Sequence, residues 1–473
     1  MKNTTLGNYA MVMGLTLAMA MTMMLTACKK LIQIPSNPPT EIAQSEQFTD
    51  SASTMTAMAN IYSYPSNGLN GFTFNDGYLS LCTGLSSDEL SVGSNQATDA
   101  LQFFQYGVTP LNDFVGDMWN DPYVGIYAVN AVMSGVATSG GLSASLKIQL
   151  TGELDLVRAL YNFDLVNLFG AVPLVTTTDY TVSSRIGRTS VDSVKAQIMT
   201  DLQAAEQALP VTYPSAGHLR PNLYTVKALL AKVYLYQQNW QAAYNAADTI
   251  IQSGLYSLVQ NPNNVFLNGS QEAIWQLPAN GKYSVTVEAN NYVPYTSGTV
   301  PNYPLTSFLL NAFEPGDQRL QDWTGKAVVN IGSAKDTFYY PYKYKNRVPS
   351  APTVEDFMIF RLGEQYLIHA EAAAELGNLG TAISDLNTVR ARAGLGATTA
   401  ATQADLLTAI MHERQVELFC EWGNRWLDLN RTGTASSVLN AEKGGFQSYM
   451  VLYPVPLPQI EANTLLGQNP GYN

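Results

Sequence analysis

Residues 145–169 read SLKIQLTGELDLVRALYNFDLVNLF. Leu150, Leu154, Val157, Tyr161, Leu165 and Leu168 step by three or four, the spacing that lines apolar side chains along one side of an α-helix. A stripe that long must pack on other helices. Gly170 and Pro173 end it, one by its conformational freedom and the other by lacking an N–H. The same period recurs on both sides. Asp50–Ser63 carries Met55, Met58, Ala59 and Tyr62, and Asp113–Ala137 carries Trp119, Tyr123, Ile126, Tyr127 and Asn130. Thr189 and Ser190 can cap a helix over Val191–Leu209, which Pro210 stops.

Further along, Leu223–Gln237 and Trp240–Ser253 read as two helices turning at Asn239, with Ala231, Tyr234 and Ala243 at the small, large and small packing positions of a tetratricopeptide-like pair. Glu364–Leu376 and Thr381–Ala393 repeat the plan, with Ala370 and Ala382 at the small positions. The pairs are degenerate and not tandem, so the expectation is a mostly α scaffold of helix pairs rather than a long solenoid. Residues 255–354 break the pattern. They are rich in Tyr, Asn, Pro, Gly and Val, with short strands expected at Ala273–Leu277, Ser284–Val287 and Phe338–Tyr344. Residues 65–110 are similarly irregular, and long irregular stretches are usually functional.

Composition bounds the function. Charged residues are 13% of the 473, about half the usual share, and the formal net charge is -12. Such a surface repels phosphate backbones, which argues against nucleic acid, and its many uncharged polar side chains suit neutral polar ligands. The start reads as an export signal: Lys2, an apolar run from Tyr9 to Leu25, then Leu25-Thr26-Ala27-Cys28. The run, about 17 residues, is at the short end for a membrane span. Cleavage before Cys28 and lipidation of its thiol would leave residues 28–48, with Pro35, Pro38 and Pro39, as a tether. Cys82 and Cys420 remain, either bridged or as buried thiols, with no zinc-type spacing.

No nucleophile elbow, phosphate loop, dinucleotide fingerprint or zinc-protease motif is present, and His218, His369 and His412 are the only histidines. No catalytic residue, cofactor or metal is expected. The run Glu413, Arg414, Glu417, Glu421, Arg425, Asp428 and Arg431 puts opposite charges on adjoining turns and reads as an ion-pair network holding the last helices. Glu153 with Arg158, and Arg361 with Glu364 and Glu371, read the same way. Binding falls to aromatic rings in the irregular stretches, since sugar C–H faces stack on flat rings while neighbouring polar groups take the hydroxyls. The candidates are Trp323 with Asp322, then Tyr292, Tyr295 and Tyr303, then Phe72, Phe74, Asp76 and Tyr78. Trp323 is the foremost of them, its rival role being a plug between the helical body and the loops.

Several stretches, in order, resemble the SusD/RagB family of outer-membrane nutrient-binding lipoproteins. They are the lipobox; Ser87-Asp88-Glu89; the Trp119–Asn130 helix; Gly152–Val175; Arg220–Ile251; Phe360–Gly394; Ile410–Arg431; and the tail Leu452–Tyr472 with its QNPGY end. One departure is Trp422, inserted between Glu421 and Gly423. The resemblance implies a signal peptide over 1–27, a lipidated tether over 28–48, an N-terminal helical region over 49–254 and a loop-rich C-terminal region over 255–473. It implies four degenerate helix hairpins forming one face. It also implies a lipid-anchored, surface-facing outer-membrane protein, partnered with a SusC-like TonB-dependent barrel, that captures an oligosaccharide or less often a peptide and is not an enzyme. The alternatives are a surface glycosidase or peptidase-type hydrolase, or a repeat scaffold that binds only protein.

Overall fold

The computed structural model describes residues 47–63, 77–93, 97–279, 285–349 and 354–472. Cys28, Phe72, Phe74 and Asp76, the signal segment and most of the tether lie outside them. The periodic stretches are helices at nearly the expected bounds: α1 (Ser51–Ser63), then, after two short helices α2 (Leu79–Ser86) and α3 (Thr98–Phe104), α4 (Asp113–Thr138), α5 (Ala144–Phe169), α6 (Val191–Ala208), α7 (Leu223–Tyr236) and α8 (Trp240–Ile251). Ser190 caps α6 by accepting from Ser193 N, and Asn239 caps α8 by accepting from Ala242 N. Helix α5 packs on α4 and α6, and α7 on α8. Ala231 and Ala243 are fully buried where α7 and α8 meet.

Strand β1 (Ala273–Pro278) follows the first hairpin. The chain then makes a long excursion through α9 (Val287–Tyr292), α10 (Ser307–Ala312), α11 (Gln318–Asp322) and the hairpin β2 (Thr324–Ile331) and β3 (Ala334–Pro341) before returning as β4 (Asp356–Arg361). β4 pairs antiparallel with β1, clasping the excursion at its base, and runs directly into α12 (Leu362–Glu375). α12 pairs with α13 (Leu379–Arg392), and α14 (Gln403–Glu417), α15 (Asn424–Arg431) and α16 (Ala435–Glu442) complete the body. The two hairpins meet through α8 and α12, with Ala370 and Ala382 fully buried.

Three local readings are corrected. Val287 opens a helix, not a strand, because Thr286 caps it by accepting from Ala289 N. The strand expected at Phe338–Tyr344 begins earlier and stops at Pro341, and its partner β2 was not foreseen; the pair turns through Gly332, whose φ of 62° favours glycine. Helix α2 was missed because all eight of its residues are buried, which leaves no amphipathic period to detect.

The charged run is the expected network. Arg319 on α11 reaches Glu413 at 2.6 Å, Glu417 at 2.8 Å and Asp317 at 2.8 Å. Arg361 joins Glu417 and Glu421, Arg392 joins Glu272 and Glu417, and Arg431 joins Glu371 and Asp428. Burial alone would raise the Glu417 carboxyl, but Arg392, Arg361 and Arg319 hold it well below the usual carboxylate range. The pairings at Glu153 and Arg158 differ from expectation: Glu153 meets Arg220, and Arg158 meets Asp155 and Asp201. Such pairs do not add much stability, yet breaking one strands a buried charge, so they fix how the excursion sits on the body.

Cys82 and Cys420 are buried free thiols, not a bridge. Among the described residues no helix is long and apolar enough to cross a membrane, and no cluster of His, Cys, Asp or Glu could hold a metal ion.

Candidate functional site

The excursion between β1 and β4 exposes what the helical body hides. Helix α9 ends at Tyr292, Val293 leaves it extended, and two residues later the Tyr295 ring stands 90% exposed. It is not unsupported. The Arg347 guanidinium lies 5.0 Å from its ring centroid. Arg347 in turn donates to Asn290 Oδ1 at 3.0 Å and to the Val293 carbonyl, which locks it against the end of α9. A flat ring braced on one side and open on the other can stack on the apolar face of a sugar.

A second braced ring, Tyr342, lies five residues before Arg347. Lys345 Nζ sits 5.2 Å from the Tyr342 centroid and donates to Asn263 Oδ1. Tyr342 meets Tyr340 edge-on at 5.7 Å. The segment is pinned from below: Glu355 accepts Lys345 N at 2.8 Å and Asn346 N at 3.0 Å, one on each carboxylate oxygen. Burial raises the Glu355 carboxyl, and the two backbone donors pull it back down. Burial likewise lowers Lys345 and Arg347, which nearby Asp322 and Glu355 offset for Lys345. Gly325 lies under Tyr340; a Cβ there would come within 2.2 Å of the ring, so only glycine allows that approach. Lys326 over Tyr339, at 5.2 Å, repeats the cation-over-ring motif on the hairpin.

Of the rings singled out in the sequence that lie among the described residues, only Tyr295 is presented outward. Asp322 is half-buried and supports the charge of Lys345. Trp323 is fully buried, with Lys343, Arg392 and Arg361 gathered over its ring, and this overturns its candidacy as a stacking platform. It is the plug. Tyr292, Tyr303 and Tyr78 are also buried, for the same reason: a large ring next to a helix gains more from packing than from water. Sequence reasoning missed Arg347, Lys345, Tyr342, Asn263 and Asn290. The signal was there in Tyr342-Lys343-Tyr344-Lys345-Asn346-Arg347, a basic and aromatic run in an acidic chain.

A separate cavity of about 490 Å³ opens between the hairpins and α15, lined by Tyr236, Trp240, Glu371, Met411 and Arg431. Its polar wall is the Arg431–Glu371 pair, already engaged.

Two family models match the chain at its two ends: one described as the SusD family over residues 309–472, the other as starch-binding associating with outer membrane over residues 41–235. The chain belongs to the SusD/RagB family. A SusD-like protein of Formosa agariphila is 26% identical over 421 residues, covering 76% of this chain and 79% of that protein. A SusD superfamily protein of Bacteroides vulgatus shares the fold with a TM-score of 0.78 at 21% identity, over 90% of this chain and 100% of that one. A laminarin binding SusD-like protein gives a TM-score of 0.73 at 25% identity, over 90% of this chain and 100% of that one. The SusD-like fold therefore accounts for the helix pairs, and the excursion is where this SusD-family chain carries its exposed, braced Tyr295 ring.

Proposed function

We propose that this SusD-family protein captures oligosaccharides at the bacterial outer membrane through the Tyr295 cluster and passes them to a TonB-dependent barrel. The observation that carries the reading is the Tyr295 ring, almost wholly exposed and braced by Arg347, with Asn290, Asn263 and Lys345 alongside. Stacking supplies affinity for the sugar face and the amides and cations select hydroxyls. The relatives named for starch and laminarin support a glycan over a peptide. Lipidation at Cys28, with the tether after it, would hold the protein on the membrane facing outward. A few stacking contacts make a weak site, suited to hand-over and not to retention. The protein is a binder in this reading, not a hydrolase.

Affinity electrophoresis across a polysaccharide panel tests it. One or more glycans should retard the protein, and Tyr295→Ala should abolish the retardation while the melting temperature holds, since surface changes of this kind stay within about 0.5 kcal/mol. Retention unaltered in the variant removes Tyr295 from the site. Release of sugar products on the same panel overturns the non-catalytic reading. Failure of any TonB-dependent barrel of the same organism to co-purify with the protein overturns the hand-over.

A further inference from the structure

We propose that the Tyr295 site takes an anionic oligosaccharide, one bearing carboxylate or sulfate groups, which Lys345 and Arg347 hold while the tyrosines stack on the sugar rings. The proposal rests on the reading of that site as a glycan site and names its ligand class. It runs against composition, since 37 acidic residues face 25 basic ones and suggest neutral ligands. The local arrangement is different from the average.

Most buried guanidiniums of this chain are spent on carboxylates, although Arg188 and Lys443 also meet neutral acceptors. Arg158, Arg319, Arg361, Arg392, Arg414 and Arg431 each sit in ion pairs. Lys345 and Arg347 do not, among the described residues. Lys345 donates to an asparagine oxygen, and Arg347 to an asparagine oxygen and a backbone carbonyl. Both hydrogen-bond partners are neutral, so neither cation is engaged in an ion pair, although Asp322 and Glu355 act on Lys345 at longer range. The nearest carboxylates are committed or offset: Glu355 spends both oxygens on backbone N–H groups, and Asp322 acts on Lys345 without an ion pair.

Donor counting leaves room for a ligand. A guanidinium has five N–H donors and an ammonium three, so most remain available on each. The two residues are separated by one position, so their Cα atoms lie within about 7 Å, comparable with the spacing of neighbouring groups on a sugar chain. Each cation already covers part of a tyrosine ring. A pyranose stacked on such a ring presents its substituents at the ring edge, beside the cation. Lys326 over Tyr339 adds a third cation on the hairpin, and Gly298 in the Tyr295 loop lies close to Val328 of that hairpin. The overall negative charge does not oppose this, since salt screens it beyond about 8–10 Å while a charge-assisted contact acts at less than half that range.

The test uses charged polymers with neutral parents: polygalacturonate against its methyl ester for carboxylate, and dextran sulfate against dextran for sulfate. The full lipidated chain in detergent should be retarded by at least one charged polymer and by neither neutral parent. Retardation should fall as sodium chloride rises from about 50 to about 500 mM. Lys345→Gln and Arg347→Gln should each weaken binding about tenfold. Tyr295→Ala, which leaves both charges in place, should weaken it too, and that separates a stacked site from a surface that merely exchanges ions. Equal retardation by a charged polymer and its neutral parent, with both charge variants unaltered, overturns the anionic class but leaves the glycan site standing if Tyr295→Ala still abolishes it. Loss in the charge variants with none in Tyr295→Ala overturns both readings. No retardation by any charged polymer overturns the anionic class.

Discussion

Trp323 Nε1 donates to the carbonyl of Pro262 at 2.8 Å, 61 residues away in sequence. That bond ties the excursion back to the segment just before β1. Phe266 lies 5.7 Å and Phe419 6.4 Å from the same indole, so the ring is shared by three parts of the chain. Trp323→Ala should therefore cost about 3–5 kcal/mol of stability. Thermal melting should show a fall of many degrees, and Trp323→Phe a smaller one. An unchanged melting temperature together with lost glycan binding would restore Trp323 to the site.

Ala231 and Ala370 let the paired helices approach closely. Ala231→Trp or Ala370→Trp should overpack the contact, at about 1–3 kcal/mol or more. The check is chemical denaturation. Unaltered midpoints in both variants would mean that these positions face open space.

Glu288 gives a pH signature. Burial pushes its carboxyl up to about 8, and among the described residues its Oε2 has no hydrogen-bond partner. A raised folded value means the native state keeps the proton that the unfolded chain has already lost. Between the ordinary carboxylate range and about pH 8 the native state binds more protons, so this group's contribution to stability falls as pH rises. Glu288→Gln, which mimics the protonated form, should match the wild type near pH 5 and exceed it at pH 9. Melting curves at the two pH values decide the matter, and parallel behaviour of the two proteins would rule the mechanism out.

Cys28→Ala should move the protein from the membrane fraction to the soluble one, because acyl chains supply the affinity, at about 0.8 kcal/mol per buried CH₂. Detergent-phase partitioning reads this directly, and unaltered partitioning would sink the lipid anchor.

The helical body was legible in sequence from its apolar spacing and its caps, even in α5, which is buried on every side from Gly152 to Val166. Leu150 to Leu168 announce a face, and Asn239 and Ser190 announce their caps. Legibility failed where a buried element was too short to show a period, or where its neighbours lie far away in sequence. Helix α2 is short and buried all round, and Trp323, flanked by polar residues in sequence, is enclosed by parts of the chain far from it. The site was half legible for a related reason. Tyr295 stands among turn-forming residues and is exposed as such residues usually are. Its partner Arg347 comes from beyond the hairpin, a proximity that no local pattern encodes.

The β1–β4 clasp brings the two ends of the excursion side by side whatever lies between them. Closing a longer loop costs only about 0.6 kcal/mol per doubling of its length. Arg319 and Trp323 are keyed into the body and are not free to change, but the rim beyond them is held by neither. Residues 293–300 and 345–349 can therefore diverge quickly under selection for a new diet while folding is left alone. One scaffold could serve a lineage of proteins whose appetites differ only at the rim.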